Sequence, residues 1–325
     1  MWRVYPPTPD LIVHADWGSH PSKRWMCWAR NTPTGVVVDA PVPVGDLGDF
    51  WTRVHSAAPY GYAVVGFDFP IGVPNAYARR AGVTSFRDTL PDLGEGRWSD
   101  FYAVCEEPAE ISLERPFYPF RPGGTKRSHL VEGLGVDGFD DLHRACERRT
   151  EDRAAASSLF WTLGGKQVGR AAIIGWRDLI APGLRDPQVG LSLWPFDGPL
   201  IDLLAPDRIV VVETYPAEAC VHLGIDPPGR GWSKTSQEGR AEQAERLFWW
   251  AERRRVRFDP ALERSVKEGF GSDRAAEDPF DAVLGALSMV EVCFGSRTTG
   301  VPDDPVIRSV EGWILGLGGE REAYL

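Results

Sequence analysis

The sequence predicts an α/β fold built on a mixed sheet, and three segments carry that expectation. LIVHADWG (11–18), YAVVGFDFPIG (62–72) and RIVVVETYP (208–216) are each apolar and rich in β-branched residues. Each ends in one acid followed within a few residues by glycine or proline. Runs without polar alternation suit strands of the parallel part of an α/β sheet, where helices cover both faces. If the three lie parallel and adjacent, Asp16, Asp68 and Glu213 converge at one edge. In open α/β sheets the carboxyl-end edge is where ligands bind.

The remaining elements follow in order. RWMCWAR (24–30) and GVVVDAPVPVG (35–45) flank the turn-rich NTPT and read as a hairpin that pairs onto the first strand. DLGDFWTRVHSAA (46–58) reads as a helix leading into the strand that ends at Asp68. Residues 83–200 break the pattern with the loop RPFYPFRPGG, a charged helix near 139–156 and an apolar helical stretch at 160–180. This segment is expected to be a largely helical insertion packed over the sheet. A helix begins near Ala217, and SQEGRAEQAERLFWWAERRR (236–255) supplies another. The last element, EDPFDAVLGALSMVEVCFG (277–295), is apolar on most faces, with Ala282, Gly285 and Ala286 small enough to allow close approach to the sheet. EGWILGLG (311–318) reads as an edge strand or a tail. The resulting order is strand, strand, strand, helix, strand, helix, strand, helix. It forms one domain over 1–325 with its core at about 10–82 and 205–317.

A chain of 325 residues that is 43% hydrophobic and 25% charged can bury a large core. No apolar run reaches the roughly 18–20 residues of a membrane helix, and the start MWRVYPPTPD lacks the pattern of a secretory signal, so a cytoplasmic protein is expected. Cys27, Cys105, Cys146, Cys220 and Cys293 are odd in number, far apart and without a CxxC pair, which suits buried thiols. The net charge of −10 argues against broad, non-specific nucleic-acid binding. A polyanionic substrate therefore needs a local basic surface: Lys126 with Arg127, Lys166 with Arg170, or the run Arg253, Arg254, Arg255 and Arg257. That last run reads first as a solvated helix face.

A carboxylate at the end of an apolar strand is costly unless it is paired or coordinates a cation. Several converging on one locus repel one another, and a hard divalent cation such as Mg²⁺ or Mn²⁺ resolves the repulsion through oxygen ligands. Two ions about 3.5–4 Å apart can clamp the attacking and leaving oxygens of a phosphoryl displacement. On this reading Asp16 bridges the metals, Asp68 and Asp281 complete separate coordination spheres, and Glu213 or Asp278 binds metal or orients water. Each has a plainer alternative. Asp278 before Pro279 suits a helix N-cap, with Asp281 interacting with the free amides of the first turn. Asp16 and Asp68 suit turns made by Gly18 and Pro70, and Glu213 could serve the Thr214-Tyr215-Pro216 turn.

HADWGS, GFDFPIGVP, VVVETYPAEA, SKTSQEGR and EDPFDAVLGAL, in that order, resemble the predicted nucleases of the family called domain of unknown function 429, which has a ribonuclease H-like fold. The resemblance covers roughly 10–82 and 205–317. That family is similar to the RuvC-type resolvases, which place acids on the first and fourth strands and a D-x-x-D pair on the final helix. Asp16, Asp68 and the pair Asp278 and Asp281 stand in those places. The resemblance implies metal-dependent phosphodiester hydrolysis, leaving a 5′-phosphate and a 3′-hydroxyl.

Weaker candidates surround this set. Lys234 could neutralise a phosphate or the carboxylates, or lie on the surface; Lys166 and Gln167 sit in a glycine-flanked turn; Lys126, Ser128 and His129 could form a lid. GRGWSKT has Ser233 and Pro228 where a phosphate loop needs its two glycines, and no G-x-S-x-G or H-E-x-x-H occurs. Two other functional classes remain open. Asp16 to Ser19 also resembles the first phosphate motif of actin-like kinases and ATPases, although no second D-x-G-[ST] follows a strand. A non-catalytic scaffold could use its thirteen tryptophans, among them Trp98, Trp161, Trp176, Trp194, Trp249 and Trp250, to bind partners.

Overall fold

The computed structural model describes residues 8–149, 155–163, 168–272 and 274–320. Among the described residues eight strands form one mixed sheet: β1 (Leu11–Trp17), β2 (Arg24–Thr32), β3 (Gly35–Val38), β4 (Val42–Pro43), β5 (Tyr62–Phe67), β6 (Leu191–Leu193), β7 (Arg208–Glu213) and β8 (Val256–Phe258). The order across the sheet is β6-β7-β5-β1-β2-β3-β8, with β4 also paired to β2. β1 runs parallel to β5, and β5 parallel to β7, while β2 is antiparallel to β1. The three acid-ending strands are therefore adjacent and parallel.

Their unbroken apolar character has a direct cause, because both faces are covered. Leu11, Val13, Ala15, Ala63, Val65, Phe67, Ile209 and Val211 pack into one cluster with the inserted segment. Ile12, Val64, Val210 and Val212 pack into the other against the helix Glu277–Cys293. Burying each Val or Ile contributes about 1.5–3 kcal/mol. Close approach by that helix requires the small residues the sequence places there. A Cβ at Gly285 would overlap the His14 ring, and one at Gly66 would overlap the Met289 sulfur.

The structure departs from the sequence expectation in several places. The run 35–45 divides into β3 and β4 around Pro41, which has no amide to donate to a ladder. β8 was not foreseen; its three residues add parallel to β3. The insertion does more than cover the sheet, since it supplies edge strand β6 beside β7. It is also less helical than expected. The described part of the segment near 139–156, which excludes 150–154, forms single turns at Phe139–Leu142 and Ala145–Glu147, and Trp161 bridges to Tyr118 instead of opening a helix. Among the described residues the apolar helix covers Val168 to Arg185 and includes a π turn, and 164–167 of the expected stretch lie outside them. Expectations for Lys166 and Gln167 fall outside the described residues. The 236–255 stretch breaks into the helices Gln237–Ala241 and Ala244–Arg254. Near the C-terminus Ile314 bridges to Glu213, where the Leu315 amide donates to the Glu213 carbonyl at 2.8 Å. Among the described residues no helix is long and apolar enough to cross a membrane.

Candidate functional site

The pleat decides which acids meet. Ala15, Phe67 and Glu213 stand in register across β1, β5 and β7, so their side chains share one face. Asp16 and Asp68 each lie one residue further on and turn to the opposite face, toward the helix Glu277–Cys293. The β7 residue at that level is Thr214, not Glu213. Asp16, Asp68, Asp278, Asp281 and Lys234 line one cavity of about 650 Å³, whose other walls include Trp17, Tyr215 and Pro227.

Glu213 is buried on the far face. It receives a two-point contact from Arg144 at 2.6 and 2.7 Å and the Ile71 amide at 2.7 Å. The same guanidinium holds Glu147 and the Glu311 carbonyl, and the Glu311 carboxylate accepts from the Asn75 and Ala145 amides. Glu213 is thus separated from the acids it was expected to join. Its contact with Ile71 fixes the loop that leaves Asp68.

Burial raises the Asp16 pKa well above the usual carboxylate range, and the charges of Asp68, Asp281 and Asp278 push it further. Burial likewise pushes Asp68 up to about 7, with Asp281 adding to it, while hydrogen bonds from the Trp17 amide (2.7 Å) and Asp16 act in the opposite sense. Asp281 is raised by burial against the pull of Lys234. Its Oδ2 meets the Lys234 ammonium, and its Oδ1 is buried with no hydrogen-bond partner among the described residues. Burial works against the charge on Lys234, but Asp281 and Glu277 outweigh it and hold its pKa above the ordinary value. Lys234 is 2.9 Å from Glu277.

Asp278 is not the N-cap of its helix. The helix opens at Glu277 after Ala276, and Asp278 pairs with Lys23 at 2.8 Å. Two of the four clustered aspartates are therefore matched to lysines, while Asp16 and Asp68 face each other without such a partner among the described residues. Among the described residues no three Asp, Glu, His or Cys side chains stand in place to hold a metal ion. Asp281 keeps a buried oxygen that has no partner among the described residues, beside two carboxyls whose mutual repulsion favours protonation. Lys234 takes the cationic part of that balance.

Sequence reasoning missed His14, one turn of the pleat below Asp16. Its Nδ1 donates to the Ala282 carbonyl at 3.1 Å, and its Nε2 accepts from the Thr214 hydroxyl at 2.8 Å, an assignment forced because a carbonyl can only accept. Burial lowers its pKa to about 4. It clamps the final helix beside Asp281, and a lone histidine inside an apolar strand was the signal that could have found it. Arg24 was also missed; it donates to the Gly18 and Ser19 carbonyls and shapes the turn after Asp16.

The weaker candidates go elsewhere. His129 accepts from the Tyr118 hydroxyl at 2.9 Å and, with Lys126 and Ser128, does not line the cavity. Arg254 pairs with Glu291, Arg253 stacks on Trp249 and Arg257 donates to Thr34, so the arginine run is divided among separate contacts. The Gly18 amide in the Asp16–Ser19 turn is already engaged by the Lys23 carbonyl at 3.0 Å. A G-x-G-x-x-G pattern at Gly133, Gly135 and Gly138 closes the helix Arg127–Leu134, with Gly135 as its left-handed cap, and so lacks the strand-to-helix setting of a dinucleotide loop. No protein-family model, curated protein or solved structure matches the chain.

Proposed function

We propose that the chain is a divalent-metal-dependent phosphodiester hydrolase of the ribonuclease H-like class, related to the domain of unknown function 429 family. The observation that carries this reading is the buried, unpartnered Oδ1 of Asp281 beside the mutually repelling Asp16 and Asp68. Support for the fold assignment comes from the antiparallel β1–β2–β3 set extended by parallel β5 and β7, with the D-x-x-D pair on the last α-helix among the described residues. Asp16, Asp68 and Asp281 would hold Mg²⁺ or Mn²⁺, with Asp278 contributing at the rim. Such a cation supplies charge neutralisation at the phosphoryl oxygens and a more acidic water. Asp68 is oriented by the Trp17 amide, and Asp281 by the helix that His14 anchors. Lys234, freed from Asp281, would meet substrate phosphate. The cavity walls, Trp17, Tyr215 and Pro227 among them, offer apolar surface to a nucleotide-sized substrate.

The decisive experiment is Mn²⁺ titration by calorimetry, together with hydrolysis of bis(4-nitrophenyl) phosphate, for wild type and Asp16→Asn. The reading requires Mn²⁺ binding and chelator-sensitive hydrolysis in wild type, both lost in the variant. Equal Mn²⁺ binding by the variant, or hydrolysis that survives excess chelator, overturns it. The ion pairs of Lys23 with Asp278 and Lys234 with Asp281 favour one other reading, a non-catalytic protein in which lysines permanently neutralise the cluster. Absence of Mn²⁺ binding by wild type would select that reading.

A further inference from the structure

We propose that a second cavity, of about 400 Å³ at the far end of the final helix, binds a small amphipathic molecule carrying a carboxylate or similar anionic acceptor. Val292 in its wall and Asp281 in the first site are eleven positions apart on one helix rising about 1.5 Å per residue, so roughly 16 Å separates the two.

The cavity has the character of a ligand site rather than a packing fault. Its walls are mostly apolar, from Leu200, Leu204, Val292 and Phe294, and its size falls in the range of small-molecule pockets. Ile201, another wall residue, is an exposed large hydrophobic side chain. Against this apolar lining stand two polar groups with unmet demands. Trp194 is 1% exposed, and its indole Nε1 has no partner among the described residues. The Nε of Arg308 is in the same condition, although the Nη2 of Arg308 pairs with Asp303 at 3.3 Å.

Both unmet groups are donors and neither can accept, and a buried donor without an acceptor is costly. The polar side of the cavity therefore calls for acceptor oxygens, and the Arg308 guanidinium in its wall, on a side chain 38% exposed, favours an anion. The apolar walls require a hydrocarbon body. Together these conditions define a compact amphipathic anion. The hydrolase reading plays no part in this argument, since none of the cavity residues belongs to the carboxylate cluster.

Calorimetric titration of the intact chain with octanoate and with octan-1-ol tests the proposal, using wild type, Arg308→Gln and Ile201→Trp. Octanoate binding at a single site, weakened about tenfold or more by Arg308→Gln and abolished by the bulky Ile201→Trp, is the expected result; a tenfold loss is a 1.4 kcal/mol change. Octan-1-ol should bind at least about tenfold more weakly than octanoate. A circular-dichroism melt of each variant checks that it folds, and the surface position of Ile201 favours that outcome. The proposal is overturned if octanoate fails to bind wild type, if octan-1-ol binds as well, or if folded Ile201→Trp binds octanoate unchanged.

Discussion

The Lys234 ammonium grips one oxygen of Asp281 and leaves the other oxygen of that carboxylate buried and without a partner among the described residues. This half-satisfied acid sits at the centre of the carboxylate cluster. Removing the lysine exposes the repulsion it masks. In Lys234→Met the metal-free protein should lose about 2 kcal/mol in urea unfolding, below the 3–5 kcal/mol of a fully buried pair because the lysine is 28% exposed. Added Mn²⁺ should restore more stability to this variant than it gives wild type. Equal metal-induced shifts in the two proteins would show that Lys234 and the cation do not share a place.

Asp16 is raised by burial and by three neighbouring acids, so its charge is a liability in the metal-free fold. Asp16→Asn is expected to stabilise the chelator-treated protein by about 1 kcal/mol, the usual sign when a strained functional group is neutralised. The same substitution should erase the thermal shift caused by Mn²⁺. Differential scanning calorimetry with and without metal reads both effects.

Among the groups that set the pH dependence of the metal-free protein, Asp68 and His14 act in opposite senses, and Asp16 and Asp281 act in the same sense as Asp68. Asp68 has its pKa moved from 3.8 to about 7, so the fold favours its protonated form; that contribution is full below about pH 4 and is lost as pH rises to about 7. His14 is moved from 6.5 down to about 4, so the fold favours neutral imidazole; that contribution is full above about pH 6.5 and is lost as pH falls toward 4. Between these limits the slopes offset one another. Asp68→Asn should remove one falling contribution and leave those of Asp16 and Asp281, so stability should fall less steeply with rising pH than in wild type. Parallel curves for wild type and variant, measured by urea unfolding in chelator, would refute the assignment. Mn²⁺ affinity in wild type should strengthen as pH rises through about 7, because the Asp68 proton competes with the cation.

Glu213 tests the separation of the two faces. Glu213→Gln keeps the shape but weakens the contact with Arg144, and should destabilise the protein by about 3 kcal/mol, as expected on disturbing a buried ion pair. Its Mn²⁺ affinity should stay within a factor of about two of wild type, since the carboxylate faces the opposite side of the sheet. A tenfold loss of Mn²⁺ binding in the folded variant would return Glu213 to the site.

Gly285 and His14 form a packing pair. A methyl group at 285 would overlap the imidazole, so Gly285→Ala should cost about 1–3 kcal/mol. The double variant His14→Ala with Gly285→Ala should recover part of that loss, a coupling that a double-mutant cycle measures directly. Additive losses would mean that the methyl group is accommodated without touching the ring.

Much of the architecture was legible because it rests on local pattern. Continuous apolar runs ending in Asp16, Asp68 and Glu213 mark strands covered on both faces, and the small residues of the last helix mark close packing on the sheet. The short edge strands β6 and β8 were not legible, since three residues carry too little pattern to distinguish a strand from a loop. The 139–156 segment misled for another reason. Its charges suggested a helix, whereas in its described part Arg144 and Glu147 are buried with Glu213 and the chain takes single turns.

The sequence by itself determined that acids stand at the ends of three buried strands and at the head of an apolar helix, because residue order and hydrophobicity are local properties. Tertiary structure alone decided which of those acids meet. A one-residue offset across the pleat sends Asp16 and Asp68 toward Asp281 and sends Glu213 to Arg144 on the other face. Only the folded chain brings Lys234 to Asp281 and His14 to Thr214, contacts between residues 47 and 200 positions apart that no local pattern encodes.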